Sequence, residues 1–204
     1  IYTIGGSFWE FGGPDLDSAK LFFMIGTAED HHSNPLKIAL SKFKRAGGRF
    51  IAINPIRTGY AAIADEWVPI KPGTDGALFM AFLHELIAAD AWDHEFVQRY
   101  TNAADLVDLN EGSENFGLFV SDPDTPAGNP LFPQNHAWWD AEAARAVPHH
   151  SPGVTPALDG RYTLADGTPV APSFTLLRER VANCTHEWAA DITGIPAATI
   201  RRLT

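Results

Sequence analysis

The chain has 204 residues, 45% of them hydrophobic, with 25 acidic against 15 basic side chains and a net charge of −10. That balance excludes an extended nucleic-acid-binding face, which needs clustered Lys and Arg to displace counterions from phosphate. The single cysteine, Cys184, excludes an internal disulfide and a four-cysteine zinc or iron–sulfur site within the chain, and no apolar run approaches the roughly 18 residues of a membrane span.

Residues 20–26, KLFFMIG, form a mostly apolar run ending at Gly26, the pattern of a strand buried on both faces. The polar loop TAEDHHSNP follows, and Asn34-Pro35 is a helix start, cap then first-turn proline. Leu36, Ala39, Leu40 and Phe43 recur at helical spacing until Gly47 and Gly48 supply the stop. Residues 49–54, RFIAIN, are a second apolar run, so the whole reads as a β-loop-α-β unit with a right-handed crossover. A short helical stretch near Gly59 leads to a third strand, EWVPIK. Pro72-Gly73-Thr74-Asp75 then opens the longest helix, with Leu78, Phe79, Phe82, Leu83, Leu86 and Ile87 on one broad apolar face. Asp93 to Tyr100 reads as another short helix.

The middle of the chain changes character. Residues 121–160 are rich in Pro, Gly and Asp and read as a long irregular excursion. Residues 161–171 form a hairpin turning at Asp166-Gly167, and helices over 173–182, 185–192 and 196–203 close the chain. The expected fold is therefore α/β: a doubly wound, mostly parallel sheet with flanking helices, of the dinucleotide-binding type. It divides into an α/β region over 1–110, a loop-rich excursion with a hairpin over 111–172, and a helical segment over 173–204 packing back on the first. The start at Ile1 and the close on IRRLT in a helical pattern read as an excised or processed piece.

In such a sheet, ligands sit beyond the carboxyl ends of the strands. Three loops end there. The first offers Thr27, Glu29, Asp30 and the amides before a helix, suited to phosphate or a polar ring. The second offers Asn54, Arg57 and Thr58, suited to ribose hydroxyls and phosphate. The third offers Asp75, a carboxylate at a helix start that can accept two parallel hydrogen bonds from N1 and N2 of a guanine. The plainer reading is that Thr74 and Asp75 cap a helix and Asn54 closes a turn. Neither G-x-G-x-x-G nor G-x-x-x-x-G-K-[ST] occurs, which disfavours an ordinary NAD site and a P-loop.

The runs IGTAEDHHSNP, INPIRTGYAAIADEWVPIKPGTDGAL and FVQRYTNAADLV, with the tail THEWAADITGIPAATIRRL, resemble the catalytic subunits of molybdopterin-dependent oxidoreductases. The likeness is strongest to the formate-dehydrogenase-like branch, which includes relatives of dimethyl sulfoxide reductase and nitrate reductase. It covers most of residues 1–110 and 173–204, and residues 121–160 match nothing comparable. The resemblance implies a bis(molybdopterin guanine dinucleotide) cofactor carrying molybdenum or tungsten. It carries the phosphate and pterin contacts of one dinucleotide onto Gly26, Thr27, Ala28, Asp30 and Asn34, and the guanosine contacts onto Asn54, Pro55 and Arg57. Asn54 stands where an Asp is more usual. The guanine reader falls on Gly73 and Asp75, and the 1–110 region becomes the dinucleotide-binding region.

The family's metal ligand and its iron–sulfur cysteines lie in segments outside this chain, so no catalytic or metal-ligating residue is assigned here. Cys184 reads as a small core residue and Ser7 as a remote candidate ligand. The adjacent pairs His31-His32 and His149-His150 do not face one metal, His84-Glu85 lacks the second His of H-E-x-x-H, and Trp138-Trp139 read as packing anchors. The implied partners are a small-molecule substrate, the remaining segments of the parent chain and an electron-transfer subunit, with no nucleic acid and no membrane span. In the intact enzyme the implied reaction is two-electron oxidation of formate, or oxygen-atom transfer. The rivals are a stand-alone nucleotide- or pterin-binding module and a purely structural interaction domain.

Overall fold

A computed structural model describes residues 15–26, 34–57, 59–121 and 136–204. Contacts divide the chain into two compact units, Ile1–Leu78 with Ala189–Ile200, and Phe79–Trp188 with Arg201–Thr204.

The first unit is built on a three-stranded parallel sheet, β1 (Leu21–Ile25), β2 (Arg49–Ile53) and β3 (Glu66–Val68), in that order. The central strand carries the reason. Phe50, Ile51, Ala52 and Ile53 are each at most 2% exposed, so β2 is buried on both faces and its backbone must be paired on both edges. Helix α1 (Asn34–Arg45) joins β1 to β2, and the short α2 (Tyr60–Ile63) joins β2 to β3. Leu40 and Phe43 of α1 pack with Met24, Phe50, Ala52, Tyr60 and Ala61, and Phe22 adds ring contacts to Phe50 at 5.8 Å and Phe43 at 6.4 Å.

Two local devices fix this unit. A Cβ on Gly48 would lie 2.2 Å from the Phe43 ring, so only glycine lets the chain turn tightly beneath α1. Asp65 ties the sheet edge. Its carboxylate accepts from the Phe50 amide at 2.8 Å and pairs with Lys44 at 2.8 Å, while its own amide donates to Phe50 O. Burial pushes the Asp65 carboxyl up. The Lys44 hydrogen bond, the Phe50 amide and the charges of Lys44 and Arg49 outweigh that and hold it below the ordinary carboxylate value.

The second unit holds most of α3 (Asp75–Ala88), α4 (His94–Tyr100), a 3-10 turn (Asn102–Ala104) and two small antiparallel sheets. One sheet has the order β4 (Leu106–Asp108), β8 (Pro169–Pro172), β7 (Tyr162–Thr163); the other is the hairpin β5 (Ala137–Asp140) and β6 (Arg145–Pro148). Helix α5 (Ser173–Val181) follows in this unit, whereas α6 (His186–Thr193) and α7 (Ala197–Leu203) each belong in part to the first unit, which takes Ala189–Ile200. The β7–β8 turn falls at Asp166-Gly167 as expected, with Gly167 at φ 90° and Thr168 N donating to the Asp166 carboxylate at 2.9 Å.

Two expectations are corrected, and one strand is added. The excursion is not irregular throughout, because residues 137–148 form the β5–β6 hairpin. Its two tryptophans alternate sides. Trp139 packs with Leu106, Ala137 and Val170 and stacks on Tyr162 at 4.3 Å, while Trp138 packs with Ala104 and Val147. Strand β4 is not visible in the sequence, since three residues are too few to show a period. On α3, Phe79 is 44% exposed and meets Phe82 edge-on at 6.0 Å, whereas Leu78 and Ala81 are buried; the helix is apolar nearly all round, which hides its buried face from sequence reading. Cys184 is buried, with Sγ 3.8 Å from Arg180 O. No helix among the described residues is long and apolar enough to cross a membrane.

Two outcomes test this packing. Gly48→Ala overpacks the Phe43 ring and costs about 1–3 kcal/mol in urea unfolding. Asp65 has a depressed folded-state value, so its contribution is complete above the unfolded value of about 4 and is lost as pH falls through the folded one. Asp65→Asn therefore lowers the urea midpoint at pH 7, and its gap from wild type closes as the pH is taken below about 4.

Candidate functional site

Parallel register sets three loop mouths on one edge of the first unit. Ile25 pairs with Ile53, and Ile53 with Val68, so β1, β2 and β3 end level. Neighbouring strands lie about 4.8 Å apart, which leaves roughly 10 Å between the exits of the outer two. Gly26 leaves β1 with φ 73° and its amide donates to Ile53 O at 3.0 Å, so the first loop departs directly beside the second.

Asn54 leaves β2 at the centre of that edge and is 4% exposed. Its amide donates to Val68 O at 3.2 Å, and its carbonyl accepts the Trp67 indole N–H at 2.9 Å. Both backbone partners of the turn are thus taken from β3. Pro55, Ile56 and Arg57 follow and are exposed, and the Arg57 guanidinium has no ion pair among the described residues.

The third loop is the most tightly specified. In Lys71-Pro72-Gly73-Thr74, Thr74 N and Oγ1 both donate to Lys71 O, at 3.3 and 2.6 Å. Proline second, glycine third at φ 77° and an amide closing on the first carbonyl are the pattern of a type II turn. The turn is buttressed by the end of α6. Lys71 N donates to Thr193 O at 3.0 Å, and a Cβ on Gly194 would come 3.2 Å from the Lys71 side chain. Thr193 is itself held, its hydroxyl donating to Ala189 O and accepting from Ile195 N.

Asp75 opens α3 immediately after this turn and is half-buried. The Thr74 hydroxyl is engaged with Lys71 O, and no hydrogen bond or ion pair reaches the Asp75 carboxylate among the described residues. A carboxylate there is favoured by the helix dipole and keeps its lone pairs for an outside donor.

Of the residues singled out in the sequence, Gly26, Asn54, Pro55, Arg57, Gly73 and Asp75 lie on these three loops. Asn34 opens α1. Thr27, Ala28, Asp30 and Thr58, like Ser7, His31 and His32, lie outside the described residues.

A second cluster, in the other unit, is not found by sequence reading. Asp105 is 1% exposed just before β4, and its carboxylate receives three ring nitrogens. His149 Nδ1 lies 2.7 Å from Oδ1, His136 Nδ1 lies 2.7 Å from Oδ2, and the Trp138 indole donates to Oδ1 at 2.9 Å. The separations of 31 and 44 residues carry no periodic signal. In the sequence His149 stands out only beside His150, when its partners are Asp105 and, across the hairpin, His136.

The geometry of the third loop makes a paired outcome measurable. Gly73→Ala places a Cβ at φ 77°, where space is open but the backbone is strained, and costs about 1 kcal/mol or more. Gly76→Ala, inside α3 with nothing near its Cβ, adds about 0.5–1 kcal/mol of stability. Urea midpoints of the two variants should therefore move in opposite directions.

No protein-family model matches the sequence. The chain is 61% identical over 203 residues to a subunit of the sulfite dehydrogenase of Allochromatium vinosum, a match covering 100% of this chain and 21% of that protein. It is 31% identical over 154 residues to the arsenate respiratory reductase molybdopterin-containing subunit of Chrysiogenes arsenatis, covering 72% of this chain and 17% of that one. The chain thus spans about a fifth of the length of the curated relatives it matches. Among solved structures, acetylene hydratase from Pelobacter acetylenicus shares the fold with a TM-score of 0.52 at 20% identity, over 93% of this chain and 16% of the hydratase.

Proposed function

The chain belongs to the molybdopterin oxidoreductase catalytic subunits, as one segment of such a protein, and we propose that the loop edge of its parallel sheet holds the guanosine end of a molybdopterin guanine dinucleotide carrying molybdenum or tungsten. The sheet is then part of a doubly wound, dinucleotide-binding α/β layer, with the ligand beyond the carboxyl ends of its strands.

The observation that carries this reading is Asp75: a half-buried carboxylate at the mouth of a 14-residue helix, on a braced turn, with no hydrogen-bond partner among the described residues. A helix cap would use such a group locally. A guanine reader would hold it ready, to accept N1–H and N2–H together. Gly73 supports the same reading, since its bare backbone beside Asp75 leaves room for a ring to approach. Asn54 and Pro55 would shape the ribose pocket, and Arg57, exposed and without an ion pair among the described residues, would meet phosphate. Gly26, with Thr27, Ala28, Asp30 and Asn34, would line the phosphate and pterin side.

The bound cofactor would supply the two-electron chemistry, and this chain's residues would supply binding and orientation. For the intact protein we read the reaction as oxidation of sulfite with water to sulfate, two protons and two electrons, the electrons passing to an electron-transfer subunit. This is the oxygen-atom transfer of the two reactions that the resemblance implies, and the 61% identity to a protein named sulfite dehydrogenase favours it over formate oxidation.

The test uses the full-length protein. Molybdenum or tungsten and acid-released guanosine monophosphate should be recovered together, and sulfite should reduce an electron-accepting dye. Asp75→Ala removes charge-assisted bonds of about 1.5–3 kcal/mol each, so cofactor affinity should fall tenfold or more while the fold, followed by circular dichroism, is retained. Metal recovered without guanine nucleotide, or unchanged cofactor retention in Asp75→Ala, overturns the reading.

A further inference from the structure

We propose that Asp105, His136 and His149 form a mononuclear site for a divalent transition-metal ion, with zinc its simplest occupant. The site belongs to the second unit, and its case is independent of the nucleotide-binding reading.

The donor atoms are already assembled. One atom from each residue lies within 4.8 Å of the others, and both histidine Nδ1 atoms are 2.7 Å from the carboxylate. Tetrahedral zinc, with bonds of about 2.0–2.2 Å, sets its ligand atoms about 3.3 Å apart. Binding therefore asks each hydrogen-bonded pair to open by about half an ångström and the most widely spaced ligand atoms, up to 4.8 Å apart, to close toward that distance. Two imidazoles and one carboxylate suit zinc or iron(II) over magnesium or calcium, which prefer oxygen donors throughout.

The surroundings match a metal centre in two further ways. The carboxylate is oriented by a group that can only donate, the Trp138 indole N–H at 2.9 Å, as outer hydrogen bonds orient ligands in established sites. Beside it lies a cavity of about 310 Å³ lined by Thr101, Asn102, Asp105 and His149 among others, which leaves room for a water as fourth ligand. Each ring must pass its proton from Nδ1 to Nε2 when the metal binds. Neither Nε2 is a buried atom lacking a partner; among the described residues only His186 Nε2 is. The ion would tie the segment before β4 to both strands at the open end of the β5–β6 hairpin.

The experiment is zinc uptake by the full-length protein after a chelator wash, measured by equilibrium dialysis with elemental analysis. Wild type should retain one more zinc per chain than His149→Gln, and both His149→Gln and His136→Gln should bind that zinc at least tenfold more weakly. Crystals of wild type soaked in zinc chloride supply a second reading that does not depend on how a variant folds. Anomalous scattering at the zinc edge should peak among the three side chains. Uptake unchanged in His149→Gln, no uptake by wild type, or an anomalous peak elsewhere with none here overturns the site. In each of those cases the three residues form a hydrogen-bonded pin only.

Discussion

A strand buried on both faces has no water to satisfy its backbone, so it must be paired on both edges, and β2 is such a strand. That requirement seats β1 on one side and β3 on the other in parallel, and parallel pairing needs crossovers that return the chain to the same end each time. The exits of three strands therefore share an edge. The loops that leave β1 at Gly26, β2 at Asn54 and β3 after Val68 start side by side for that reason, and not because they are close in sequence.

The edge is braced both from within the sheet and from beyond it. The Trp67 indole holds the carbonyl of Asn54, and the Thr193–Ile195 turn, more than a hundred residues later, holds the amide of Lys71. Such bracing holds the loops in place without using the side chains at their mouths. Asp65 does the corresponding work at the far side of the sheet, where its hydrogen bonds and the charges of Lys44 and Arg49 together outweigh the cost of partial burial. In the other unit the same electrostatic demand appears in sharper form. A carboxylate 1% exposed is tolerated because three donors converge on it.

Much of the first unit is legible in the sequence. Apolar runs bounded by glycine mark β1 and β2, Asn34-Pro35 marks the start of α1, and Lys-Pro-Gly-Thr marks the turn before α3. These signals are local, and each rests on a single residue's backbone preference. The hairpin within 121–160 escapes because its strands are four residues long and both tryptophans are buried, on opposite sides, so no apolar–polar alternation is visible. The exposed Phe79 is misread for the opposite reason: a helix apolar nearly all round has no face to read.

The sequence by itself determined the β1-α1-β2 order of the first unit, the turn residues and the resemblance to the molybdopterin oxidoreductases, because each of these is carried by short-range chemistry or by a linear motif. Only the tertiary structure decided that Thr74 turns back to Lys71 while Asp75 keeps its carboxylate unpaired among the described residues, and that Asp105 gathers His136, His149 and Trp138. A side chain's hydrogen-bond partners depend on what packing brings within three ångströms, and separations of 31 to 44 residues leave no trace in the local pattern.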